Sequence, residues 1–98
     1  MAESSKWKIP VEHIESIMEN AEYIELDCFG SCTVVIMKMP NGFVLVEKAG
    51  TIDPSGYDPK LGRHICYEKL KDKVWELEGY IQKCRWSMSL DSAHGEGE

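Results

Sequence analysis

The chain has 98 residues and a mass of 11.2 kDa, enough for one small domain with a thin stability margin, which excludes multi-domain machinery. Lys+Arg number 11 against 17 Asp+Glu, for a net charge of −6 and a pI near 5.0; phosphate affinity needs a cationic surface, so no nucleic-acid partner is expected. Hydrophobic content of 43% and charged content of 29% sit near globular averages, so the middle of the chain can support a core.

No run of about 18 apolar residues occurs, and the segment from Met1 to Lys6 is polar rather than a charged stretch followed by an apolar one. No membrane partner is expected, and the cytoplasm is the expected location. Cys28, Cys32, Cys66 and Cys84 are therefore read as reduced thiols rather than a disulfide framework. Residues 1–8 and 87–98 hold too little apolar material to order themselves, which leaves 9–86 as a single folded domain between a disordered N-terminus and a disordered acidic tail. Charge is uneven along that body. Residues 1–27 carry two bases and seven acids, whereas 60–85 carry seven bases and four acids. This pattern is read as solvated faces that help an acidic first helix dock against a basic last one, with a DNA mimic or an anion binder as the alternative.

Pro10 pre-sets a first turn, and Val11, Ile14, Met18 and Ala21 then recur at helical spacing while Glu12, Glu15, Glu19 and Glu22 face outward. From Tyr23 the period becomes two: Ile24, Leu26 and Cys28 alternate with Glu25 and Asp27, the pattern of a strand whose aliphatic face is buried. Phe29-Gly30-Ser31 turns the chain into Cys32–Met39, apolar on both faces and rich in β-branched residues, hence expected as a middle strand covered on two sides. Pro40-Asn41-Gly42 is a hairpin signal, with Asn41 and Gly42 both suited to positive φ, and Phe43–Ala49 returns as the third strand. Asp58-Pro59 then opens a second helix. Leu61, Ile65, Leu70, Val74, Leu77, Ile81 and Cys84 carry it to about Arg85, roughly 25 residues or about 38 Å. A seven-residue strand covers only about 24 Å. The helix therefore overhangs its sheet, and Trp75, Tyr80 and Trp86 on the overhang need cover; a two-fold dimer is the economical one. The expected fold class is α+β: a short helix, a three-stranded antiparallel meander, and a long helix across one sheet face.

Chemistry-bearing groups are few. The cysteines and His64 supply zinc-type ligands, but Cys66 and Cys84 stand 18 positions apart on one helix and cannot share an ion, so no metal and no cofactor are expected. His13, His64 and His94 have no triad partners, and Gly50, Gly56 and Gly62 make no phosphate loop. A small thiol or hydrolase enzyme built on Cys66 or His64 ranks last, and no catalytic residue is assigned. The segment from Asp53 to Arg63 is richer. Tyr57, Asp58, Lys60 and Arg63 surround a helix N-terminus, where free amides attract anions, so a nucleotide is the ligand to test, with Tyr57 stacking on its base. The competing account makes Asp53 and Asp58 caps of successive turns, with Tyr57 packed beneath the loop.

Asn41-Gly42-Phe43, Asp53-Pro54-Ser55-Gly56-Tyr57-Asp58, Gly62-Arg63 and Trp75-Glu76-Leu77-Glu78-Gly79-Tyr80, taken as an ordered series over about 9–84, resemble a family of small tailed-phage proteins. The family is typified by gene product 49 of coliphage N-four and gene product 66 of Shigella phage Sf-six. The resemblance implies a phage or prophage accessory gene expressed in the cytoplasm of a bacterial host and carries no biochemical activity with it. Physically, Trp75 and Tyr80 suit a core or an interface, and Gly79 permits close approach of another backbone. The expected function is a non-enzymatic, self-associating module, by default a homodimer, that contacts a host protein. The alternative is a small anionic-ligand binder, such as a sponge for a nucleotide signal of host defence.

Overall fold

The computed structural model describes residues 8–95, with the side chains of 8–90. Helix α1 spans Val11–Asn20, strands β1, β2 and β3 span Glu22–Cys28, Cys32–Lys38 and Val44–Gly50, a 3₁₀ turn follows at Pro54–Gly56, and helix α2 spans Pro59–Gly95. The sheet has order β1-β2-β3 with both pairings antiparallel, the expected meander. The short helix, the meander and the long helix on one face make the fold α+β. The expected disorder of residues 1–8 falls, apart from Lys8, outside the described residues.

Each hairpin has a local cause. At the first, Phe29 and Gly30 take φ of 58° and 65°, and the Ser31 amide donates to the Cys28 carbonyl at 3.2 Å. At the second, the Gly42 amide closes a turn on the Met39 carbonyl at 2.7 Å and Gly42 takes φ of 94°. Only Gly42 of the expected pair has positive φ. Asn41 serves through its side chain, whose Oδ1 accepts from the Phe43 amide at 3.0 Å.

One sheet face holds the core. Val35 and Met37 of β2 are fully buried beneath Ile14 of α1 and Cys66, Leu70 and Val74 of α2, with Met39 at the edge. Gly62 lets the helix come this close: a Cβ there would lie 2.3 Å from the Thr33 hydroxyl oxygen. The other face is bare. Register pairs Ile24 with Ile36 and Ile36 with Val46, and Leu26 with Val34, yet Ile24, Leu26, Val44 and Val46 are all exposed. The expectation that β2 is covered on two sides is therefore corrected, because both helices lie on the same side.

The facing of β1 is also corrected. Tyr23, Glu25 and Asp27 pair with Met37, Val35 and Thr33 and share the helix-covered side, while Ile24 and Leu26 point to the open side. Acids are tolerated there because α2 lies over β2 and β3, leaving the inner side of β1 wet enough for carboxylates that meet hydroxyl and guanidinium partners from the loop and helix.

Helix α2 is longer than expected, 37 residues or about 56 Å, and runs past Arg85 to Gly95. Residues 87–95, expected as disordered tail, continue the helix because nothing after Trp86 breaks it until Gly95; residues 96–98 lie outside the described residues. Ile81 and Arg85 still line a groove with Met39 and Pro40 of the second hairpin, and beyond Arg85 the helix projects past the sheet. The molecule consequently measures 65 × 26 × 25 Å with a radius of gyration of 18.4 Å, against about 13 Å for a compact chain of this size.

Candidate functional site

After β3 the Thr51 amide extends the ladder to the Ser31 carbonyl at 3.0 Å, and the chain enters a loop organised by two acids. Asp53 Oδ1 accepts from the Ser55 amide at 3.0 Å and from the Ser55 hydroxyl at 2.8 Å, bonds that hold its carboxyl below the usual carboxylate range. Asp58 Oδ1 accepts from the Lys60 amide at 3.0 Å and more weakly from the Leu61 amide at 3.5 Å, capping α2. Both acids thus cap successive turns, and a carboxylate occupies the place an anion would take at the first turn of α2.

The remaining members of the expected ligand site turn toward β1. The Tyr57 hydroxyl donates to Asp27 Oδ1 at 2.8 Å, which leaves the buried Thr33 hydroxyl to donate to Tyr57 at 2.6 Å. That Thr33 bond pulls the phenol pKa down, but desolvation and the Asp27 carboxylate outweigh it and the net shift is upward. Arg63 Nε lies 3.6 Å from Glu25 Oε1, and the Tyr67 hydroxyl donates to the other oxygen of the same carboxylate. Burial first, and then Glu25, push the Tyr67 phenol far above its ordinary range. Tyr23 meets Tyr67 edge-on with ring centroids 4.9 Å apart. Of the four residues expected to hold an anion, Tyr57 and Arg63 bind β1 carboxylates, Asp58 caps the helix, and Lys60 stands exposed in the first turn. A groove of about 180 Å³ on the β3 side of the loop reaches Tyr57, Asp58 and Gly62 but neither Lys60 nor Arg63.

The four thiols do not converge. Cys28 and Cys32 pair across β1 and β2 at one end of the sheet; Cys66 is buried on the sheet side of α2, its Sγ 3.6 Å from the Thr33 carbonyl oxygen that the Cys32 Sγ also approaches, at 3.7 Å, and Cys84 lies further along α2. Burial pushes the Cys66 thiol pKa up, the opposite of what a reactive thiol needs. Among the described residues no group of three or more His, Cys, Asp or Glu side chains is placed to hold a metal ion. Nor, among them, is any helix long and apolar enough to cross a membrane.

The Trp75–Tyr80 segment divides between inside and outside. Trp75 and Leu77 pack against the core, since α2 still lies over the domain there, and Glu78 Oε1 stands 2.8 Å from His13 Nε2, tying α2 to α1. Gly79 has open space where a Cβ would go, so among the described residues no backbone uses it for close approach. Tyr80 is 70% exposed. Further along, Trp86 lies beneath Lys83, whose Nζ is 4.3 Å from the ring centroid, and Met88 and Leu90 are exposed. Of the three expected interface residues, Tyr80 and Trp86 are thus presented to solvent and Trp75 is built into the core edge.

Sequence reasoning missed the Glu25 and Asp27 contacts and the His13–Glu78 pair. The signal for the first was the cluster Tyr57, Arg63 and Tyr67, three long donors from the loop and the first turns of α2 with an acidic strand among the elements before them. For the second there was none, because the pair spans 65 positions.

Residues 9–85 match the family described as "Phage protein (N4 Gp49/phage Sf6 gene 66)". No curated protein and no solved structure matches the chain.

Proposed function

Because the chain belongs to this phage protein family, we propose that it is a phage or prophage accessory protein that acts without catalysis, in the bacterial cytoplasm, by self-association and contact with a host protein. The observation that carries this reading is a contrast between its polar and apolar groups. Tyr57, Asp58 and Arg63 are engaged with partners in the same chain, while aliphatic and aromatic side chains lie exposed along the sheet and on α2 past Ile81. Contiguous apolar surface on a small protein marks contact with another macromolecule.

Thermal unfolding of the intact chain with a panel of nucleotides, beside native mass spectrometry, tests this. The expected result is an unchanged melting curve with every nucleotide and a ligand-free oligomer in the spectrum. A melting temperature that rises with nucleotide concentration as RT ln(1 + [L]/Kd), and no longer does so in Lys60→Ala, would establish the anionic-ligand reading instead.

A further inference from the structure

The open face of the sheet forms four rows across β1, β2 and β3: Glu22, Lys38 and Val44; Ile24, Ile36 and Val46; Leu26, Val34 and Lys48; Cys28, Cys32 and Gly50. The two central rows are aliphatic apart from Lys48 on the edge strand, and the other two charges, Glu22 and Lys38, sit in the end row. An antiparallel sheet with a solvated face ordinarily presents polar residues there. Here that face instead has an apolar centre and a charged margin, the anatomy of an interface.

Building on the self-association reading above, we infer that this face packs against the same face of a second copy of the chain, two sheets stacked as a β-sandwich. A second copy fits for three reasons. Both helices lie on the far side of the sheet, so among the described elements none stands between the two faces. The face is a flat lattice of branched aliphatic side chains at period two. An identical lattice interdigitates with it at the usual sheet separation of about 10 Å. A two-fold axis near Ile36 also leaves Glu22, Lys38 and Lys48 at the rim, where water reaches them, and buries no charge at the centre.

The area sets the strength. Three strands of seven residues span about 14 by 23 Å, or roughly 320 Å² of flat face per copy. Two such faces total about 640 Å², roughly half the lower bound of the interval of about 1,200–2,000 Å² for stable complexes, and side-chain relief brings them at most to that bound. The dimer is therefore reversible and concentration-dependent rather than obligate.

Sedimentation equilibrium of the full chain from about 10 μM to about 1 mM tests this, with dissociation expected in the micromolar range. Ile24→Lys and Val46→Lys alter side chains already 56% and 53% exposed, so the monomer fold should persist by circular dichroism while the dissociation constant rises at least tenfold. With Cys28, Cys32 and Cys84 changed to serine, Ile36→Cys should be joined to its own copy by a short bis-maleimide, which spans the sheet separation of about 10 Å that a disulfide cannot bridge. A dimer that survives both lysine variants but is lost in Tyr80→Ala or Trp86→Ala overturns the sheet interface and leaves self-association standing through α2. A chain that stays monomeric across the whole interval overturns both.

Discussion

Gly62 and Gly79 lie on one helix and have opposite surroundings. A Cβ at Gly62 would press into Thr33 at 2.3 Å, whereas nothing lies within 4 Å of one at Gly79. Gly62→Ala should therefore cost about 1–3 kcal/mol as overpacking, and Gly79→Ala should gain up to about 1 kcal/mol from helix propensity. Urea denaturation of the two variants reads both signs. The tyrosines make a second prediction at this scale. Tyr23, Tyr57 and Tyr67 all have raised pKa values in the folded protein, so each contributes stability that is complete below the unfolded value of 10.0. That contribution is lost as pH rises through the folded values, because the unfolded chain then releases protons that the folded one retains. The melting temperature should fall steeply above about pH 10, and Tyr67→Phe, the variant at the most displaced group, should flatten that decline while costing some stability at neutral pH.

At the scale of elements, α2 is two structures in one helix. From Gly62 to about Arg85 it lies over the sheet, the second hairpin and α1, and residues 86–95, about 15 Å of helix, project beyond them. Deleting residues 86–98 should leave the melting temperature of the domain unchanged, whereas Leu70→Ala, at a fully buried site, should cost about 2–5 kcal/mol. Thermal unfolding of the two variants makes the comparison. The order of elements was legible in the sequence because turn chemistry is local: Gly42, Asp53 and Asp58 act on amides within three positions of themselves. The facing of β1 was not. Alternation marks two faces without saying which is covered, and the choice fell to Arg63 and Tyr67, which reach Glu25 from about 40 positions away. The end of α2 was misplaced for a related reason, since polar composition suggested a tail where only a breaker residue ends a helix already begun. The capping by Asp53 and Asp58, the competing account of that segment, was legible because it is local, but the long-range engagement of Tyr57 and Arg63 carried no local mark.

For the whole molecule, the combination of a one-sided core and a 65 Å long axis separates two kinds of surface. The open sheet face is flat and lies broadside to the domain, while the far part of α2 projects from one end. A copy seated on the sheet would leave both α2 ends free, so one dimer would present Tyr80 and Trp86 twice to a host protein. Binding through both ends would gain by effective concentration without any new contact. Mixing wild-type chain with Val46→Lys should then weaken host-protein capture more than the loss of mass alone implies, as measured by surface binding at fixed total chain concentration.

The unsupported length of α2 also has a kinetic consequence. Starting a helix is the costly step, and each later residue adds one hydrogen bond for one residue fixed. In α2 the core-bound turns from Gly62 to Val74 serve as a permanent nucleus, so the projecting part never has to start afresh. It lengthens and shortens by single residues from its C-terminal end. Amide exchange along 86–95 should accordingly quicken by a gradual slope toward Gly95, where a separately folded segment would open all at once.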